Sequence, residues 1–130
     1  MEDVEMSGFM DQALSRFGRL ESMIRGDFVT IAMQGDFGKP RLALLIQSDP
    51  FNEHATMTVL LVSSRLVDAP LLRVTVQPTD KNGLQKPSQV MIDKAMTVKR
   101  DKLGEAFGSA SDAVMLEIGR CLAVFLGIAR

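Results

Sequence analysis

Three short stretches of this chain combine cations or hydroxyls with strand-forming neighbours in a way that suits phosphate chemistry. In Gly35-Asp36-Phe37-Gly38-Lys39-Pro40-Arg41, a glycine-bracketed loop delivers a lysine and an arginine to the start of the apolar run Leu42 to Ile46. An arginine held there presents parallel N–H donors to two phosphate oxygens and keeps its proton near neutral pH. Arg41 is therefore suited to stabilising charge that builds on phosphorus. Ser63 and Ser64 end a second apolar run, where a hydroxyl can donate to a phosphate oxygen. Lys86-Pro87-Ser88-Gln89 again sets a cation beside hydrogen-bonding side chains ahead of a strand, with Pro87 fixing the entry geometry. Each stretch also has an ordinary reading: Arg41 paired at the surface with Asp36 or Asp49, Lys39 solvated, and the serines a polar strand end. All three are strand termini, so only their convergence on one rim makes a site.

The elements that must position them are short and mainly β. Phe28 to Met33 reads as a strand, the Gly35 to Lys39 loop turns it, and Arg41 to Gln47 reads as its hairpin partner, apolar enough for burial on both faces. Asp49-Pro50 stops that strand and Phe51 to Ala55 makes a turn, before Thr56 to Ser64 resumes a long strand. Further strands are expected over Leu72 to Val76 and Gln89 to Lys99, separated by a loop carrying Asp80-Lys81-Asn82-Gly83. Strands of this length and spacing predict a small barrel. Lys102 to Phe107 is read as a short helical turn ended by Gly108. Ser109 to Asp112 then offers capping chemistry for a C-terminal helix, in which Val114, Met115, Ile118, Cys121, Leu122, Phe125 and Leu126 recur at helical spacing up to Gly127.

Residues 1–22 stand apart. Met10, Leu14, Phe17 and Leu20 recur at near-helical spacing with Ser7 as a possible N-cap, which predicts an amphipathic helical extension ahead of a domain over 23–130. It either packs on the body, mediates association, or lies upstream of a natural beginning at Met23-Ile24-Arg25-Gly26-Asp27. Its acidic character also allows it to lie in a basic groove.

At 130 residues the chain fits one core. The composition is 46% apolar without a run of the roughly 20 apolar residues a membrane span needs, and the acidic N-terminus lacks a signal-peptide pattern. The expectation is a soluble, cytoplasmic protein with no membrane partner. The net charge of −1 excludes a globally basic nucleic-acid binder. The first 24 residues hold five acidic residues against Arg16 and Arg19, so the remainder carries 13 basic against 11 acidic residues and has room for a local basic groove. With one His and one Cys there is no metal-ligand or cysteine–histidine constellation, and no cofactor is expected. Cys121 reads as a buried small hydrophobe and His54 as a surface turn residue. The chain has no Trp or Tyr. That leaves Phe37, read as partly exposed, and Phe51, read as buried, as the aromatics beside the expected site.

These motifs in this order resemble the MazF/PemK toxin family of type II toxin–antitoxin systems, in the branch with a Gly-Lys-Pro-Arg loop. The residues that carry the resemblance are Arg25-Gly26-Asp27-Phe28-Val29, Gly35 to Arg41, Ala43-Leu44 through Gln47-Ser48-Asp49, Phe51-Asn52, Asn82-Gly83-Leu84 and Lys86 to Met91. It implies an α+β fold, mainly β with helices, built as an SH3-like barrel. It implies a homodimer and a metal-independent endoribonuclease that cuts single-stranded mRNA at short sequences. It also implies a cognate antitoxin whose C-terminal segment occupies the RNA groove. By position, Arg41 matches the arginine that supports the transition state, and Ser63 falls where the family has a threonine or serine. Lys86 stands where some members have arginine and Ser88 where they have an acid/base aspartate, while Gln89 fits a recurring glutamine expected to contact RNA. Asp36, Phe37 and Lys39 belong to the loop that roofs the groove. Leu42 departs from the proline that usually follows the arginine. The implied chemistry is attack of a ribose 2′-hydroxyl on the adjacent phosphate, leaving 2′,3′-cyclic phosphate and 5′-hydroxyl ends. Two readings compete: a gyrase-poisoning toxin without nuclease activity, as in the CcdB relatives, and an inactive member kept for partner binding.

Overall fold

A computed structural model describes residues 23–33, 39–51 and 53–129. The expected N-terminal helix over 1–22 and the tip of the first loop, with Asp36 and Phe37, lie outside the described residues.

Six antiparallel strands form one sheet: β1 (Asp27–Ile31), β2 (Arg41–Leu45), β3 (Thr56–Ser63), β4 (Arg73–Val76), β5 (Ser88–Lys99) and β6 (Gly108–Ser109). Their order is β4-β5-β3-β2-β1-β6, and one helix, α1 (Asp112–Phe125), follows them. The pleat sends alternate residues to opposite faces, and in β1, β2 and β3 both faces are apolar. Phe28, Leu44, Leu60 and Val62 join Val90, Ile92 and the α1 residues Ile118 and Cys121 in one buried cluster. Val29, Ile31, Ala43, Leu45, Met57 and Val59 join Met23 and Val98 in a second. That is why these strands read as nearly continuous hydrophobic runs.

The sheet curls into a half-barrel rather than closing by a complete strand ladder. Its sharpest adjustment is in β5. Thr56 to Leu60 of β3 pair with Ala95 to Lys99, but Val62 and Ser63 pair with Val90 and Gln89, so the residues between bulge out of the β3 ladder. The first half of β5 meanwhile pairs with β4, from Val76↔Ser88 to Arg73↔Met91. The two edge strands approach each other through a turn, since the Ser109 N–H donates to the Lys81 carbonyl at 2.8 Å. Gly108 is required by this approach, because a Cβ there would lie 2.2 Å from the Asn82 carbonyl oxygen.

The helical turn expected over Lys102 to Phe107 is displaced. A 3₁₀ turn covers Arg100–Lys102, and Gly108 lies in β6 rather than ending a helix. The reason is where the backbone donors go: Gly104 N–H bonds the Thr30 carbonyl (2.8 Å) and Phe107 N–H the Phe28 carbonyl (2.9 Å). Backbone groups spent along β1 cannot close helical turns. The C-terminal helix forms as the pattern predicts. Ser111 caps it by accepting from Val114 N–H at 3.2 Å, and Gly127 follows it at φ 77°.

Candidate active site

Leu42 pairs with Val62 in antiparallel register. One step further along that ladder Arg41, the first residue of β2, falls opposite Ser63, the last of β3, with both on one face of the sheet. Ser63 pairs in turn with Gln89, and Gln89 with Thr75. A polar row thus crosses this end of the sheet.

A cleft of about 590 Å³ opens at this end, lined by Arg41, Ser63, Ser64, Lys86, Ser88 and Phe107 together with Thr30, Pro40, Leu42, Val62 and the Gly83–Gln85 segment. The three stretches singled out in the sequence therefore converge. Both charged residues of the lining, Arg41 and Lys86, are cations, and among the described residues no carboxylate lines it. Such a surface favours an anion.

The hydroxyls differ in their commitments. Ser63 Oγ accepts from the Arg65 N–H at 3.0 Å, which leaves its O–H as a donor. Ser88 is buried and donates to the Lys86 carbonyl at 2.9 Å, so it braces the segment that presents the exposed Lys86. Lys39 is exposed two residues before Arg41 and does not line the cleft.

Gln89, expected to contact RNA, is elsewhere. Its buried amide donates to the Val67 carbonyl (3.0 Å) and Thr75 Oγ1 (3.1 Å) and accepts from Val67 N–H (3.0 Å). It fastens the segment after Ser63 to the sheet, beside a separate cavity of about 350 Å³ bounded by Val67, Arg73 and Glu117. Pairing of Arg41 with Asp49 is corrected as well: Asp49 lies past the other end of β2 and accepts from Arg25 N–H at 2.8 Å. Phe51, read as buried, is 53% exposed at that same far end, where its ring meets the exposed His54 edge-on at 5.7 Å. Its chain sits in a 3₁₀ turn, too short to carry the ring back over the core.

Sequence reasoning missed Thr30, Leu84 and above all Phe107. No periodicity marks Phe107, which stands between Ala106 and Gly108 in an irregular segment. One signal was available in Asn82-Gly83-Leu84, the turn that packs against it. Asn82 is buried, with Oδ1 accepting from Thr79 N–H (2.9 Å) and Leu84 N–H (3.0 Å) and Nδ2 donating to the Gln77 carbonyl (2.8 Å). Gly83 follows at φ 70°.

Among the described residues, two groups outside the cleft are shifted from their ordinary pKa values. Partial burial raises the Asp93 carboxyl, but the hydrogen bond and charge of Arg73, 2.5 Å away, outweigh it and hold the group below the usual range. Burial, with the nearby Glu117 carboxylate, pushes the Cys121 thiol up, as suits an inert core cysteine. Among the described residues, no three His, Cys, Asp or Glu side chains cluster as metal ligands, and no helix is long and apolar enough to cross a membrane.

Comparison with known proteins follows the same residues. Residues 24–126 match the family described as PemK-like, MazF-like toxin of type II toxin–antitoxin systems. A Mycolicibacterium smegmatis protein named as a probable endoribonuclease MazF is 44% identical over 108 residues, covering 82% of this chain and 99% of that protein. Two solved structures share the fold at 23% identity. One is an endoribonuclease in complex with its cognate antitoxin from a mycobacterial species (TM-score 0.70, covering 83% of this chain and 98% of that one). The other is a MazE–MazF complex from Deinococcus radiodurans (TM-score 0.67, 82% and 97%).

Proposed function

The chain belongs to the PemK-like, MazF-like toxins of type II toxin–antitoxin systems, which are endoribonucleases, and from that premise we propose that it cuts single-stranded mRNA in the Arg41–Ser63 cleft. The observation that carries this reading is the opposition of Arg41 and Ser63 across the β2–β3 ladder in a cleft whose charged lining, among the described residues, is cationic. The ribose 2′-hydroxyl attacks the adjacent phosphorus and gives up its proton to solvent water. Arg41 stabilises the pentavalent phosphorane, the Ser63 O–H holds a non-bridging oxygen, and the 5′-oxygen departs and takes a proton. The products are a 2′,3′-cyclic phosphate and a 5′-hydroxyl, and no metal takes part. Lys86 binds a flanking phosphate, and Lys39 adds to the field at the entrance. Proton transfer without a histidine in the cleft is weakly assisted, which makes turnover slow.

On this reading the protein is a cytoplasmic homodimer of the Gly-Lys-Pro-Arg branch, and its cognate antitoxin inhibits it by laying a C-terminal segment in the same cleft. Residues 23–130 are the toxin domain and 1–22 an extension outside the catalytic unit, consistent with a family match that begins at residue 24. Incubating the protein with 5′-labelled single-stranded RNA in EDTA tests this. Cleavage is expected to leave 2′,3′-cyclic phosphate ends by mass spectrometry, and a chain starting at Met23 is expected to cleave equally well. Intact RNA, or products with 5′-phosphate ends, would overturn the assignment.

A further inference from the structure

We propose that the Phe107 ring is the platform on which one nucleobase of the bound strand stacks, making Phe107 a specificity-determining residue of the cleft. This rests on the ribonuclease reading above and names how the same cleft grips a base.

Four observations carry it. Phe107 is 37% exposed and lines the cleft, and among the described residues no other aromatic lines it. Its ring lies beside the fully buried Phe28 in an offset, near-parallel arrangement, with centroids 6.2 Å apart and planes inclined by 26°. A base entering the cleft would therefore meet a ring already packed against the core. The ring is also held before any ligand arrives. Phe107 N–H bonds the Phe28 carbonyl at 2.9 Å, and a Cβ at Gly83 would lie 2.9 Å from the ring Cδ1 and 2.6 Å from the Phe107 carbonyl oxygen. Only a glycine lets the Asn82-anchored turn come this close, so Phe107 is confined between turn and sheet. Finally, Arg41 and Lys86 line the same cleft. Cations for phosphates beside an aromatic face for a base is the pairing that single-stranded nucleic acid requires.

The strongest objection is that a ring on Phe28 is simply the margin of the core. Phe107 does not belong to the buried cluster that holds Phe28. Gly83 packs directly against it, and Gly108, the next residue in the chain, lets the Asn82 backbone approach. A ring serving only to cover Phe28 could be replaced by leucine at no cost to a ligand.

The chain has no tryptophan, which makes the test direct. Phe107→Trp introduces a single fluorophore, and a short single-stranded RNA made uncleavable by 2′-O-methylation serves as probe. Emission is expected to be quenched as the oligomer binds. Phe107→Leu is expected to weaken binding roughly 5- to 150-fold, the loss that follows removal of one stacked base. KM should rise by a similar factor with kcat little changed, while Phe107→Tyr restores binding and the melting temperature of Phe107→Leu stays near wild type. Homopolymers of each base, compared between wild type and Phe107→Leu, show which base uses the platform. If wild type cleaves RNA while Phe107→Leu binds equally well or Trp emission does not respond, the platform is refuted and the ribonuclease reading stands. If wild type neither binds nor cleaves, the ribonuclease reading itself fails.

Discussion

Arg41 and Arg25 lie at opposite ends of the same five-residue strand, and the structure uses them differently. Arg41 opens β2 and lines a cleft with Ser63, Lys86 and Phe107. Arg25 stands where β2 ends: its guanidinium donates to the Ile46 carbonyl and its backbone N–H to Asp49. The rest of that end is likewise spent on the chain itself. Gln47 bonds the Phe51 carbonyl (2.7 Å) and Thr58 N–H (2.8 Å), and Arg100 bonds the His54 carbonyl (3.1 Å), with Arg100 Nη1 the one buried side-chain polar atom left unpartnered among the described residues. At the cleft end, by contrast, Lys86 is exposed, and Ser63, half-buried, accepts from the Arg65 N–H and keeps its O–H as a donor. The same residue type is a clamp at one end of β2 and part of a cleft lining at the other.

The comparison is broken most sharply by exchanging the two arginines for alanine. Arg41→Ala is expected to slow RNA cleavage by about 100-fold or more, the usual cost of one donor to a developing oxyanion, with a stability change of about 1 kcal/mol or less in urea unfolding. Arg25→Ala should do the reverse, losing about 1.5–3 kcal/mol because its partner is a carbonyl bonded by a charged donor, with kcat intact. An equal loss of activity in both would show that Arg41 acts through the fold.

Gln89 probes the boundary between the two uses, since it occupies the polar row with Arg41 and Ser63 yet serves the Val67 backbone. Gln89→Ala leaves Val67 N–H and C=O without their partner and is expected to cost about 1–3 kcal/mol. Because the fastened segment begins beside the Arg65 N–H that fixes Ser63, cleavage should also fall several-fold through kcat. Unchanged stability with a raised KM would instead return Gln89 to the RNA.

The smallest effect is expected at Phe51. An exposed aromatic at the end away from the cleft should be replaceable by serine within about 0.5 kcal/mol of stability and without change in kcat/KM. A marked rise in KM for Phe51→Ser would mean that the strand runs the length of β2.

Much of this was legible because it follows from local pattern. The runs Phe28 to Met33, Arg41 to Gln47, Thr56 to Ser64 and Gln89 to Lys99 read as strands from their β-rich composition, Arg41 to Gln47 as one buried on both faces. Ser111, Ile118, Cys121 and Gly127 mark a helix by cap, period and stop. Arg41, Ser63 and Lys86 were found as strand termini of suitable chemistry, each compatible with an ordinary surface role. The differences have two sources. Phe51, read as buried, lies in a local 3₁₀ turn that leaves it exposed. The Lys102 to Phe107 segment, and Gln89, which the family resemblance sets beside RNA, are held by partners far along the chain: the carbonyls of Thr30 and Phe28, and the backbone of Val67.

What the sequence determined by itself, then, is the set of elements and the chemical types at their ends, because helix and strand periods are local properties of side-chain order. Which ends meet is a matter of register, and register is fixed by non-local pairing. The bulge in β5 allows Gln89 to reach Ser63, the Leu42–Val62 pair sets Arg41 opposite it, and the contact between Gly108 and the Asn82 backbone brings Phe107 to the rim. A shift of one residue in any of these pairings would turn the same side chains to the opposite face. The cleft therefore belongs to the tertiary structure, while the residues able to use it were already visible in the chain.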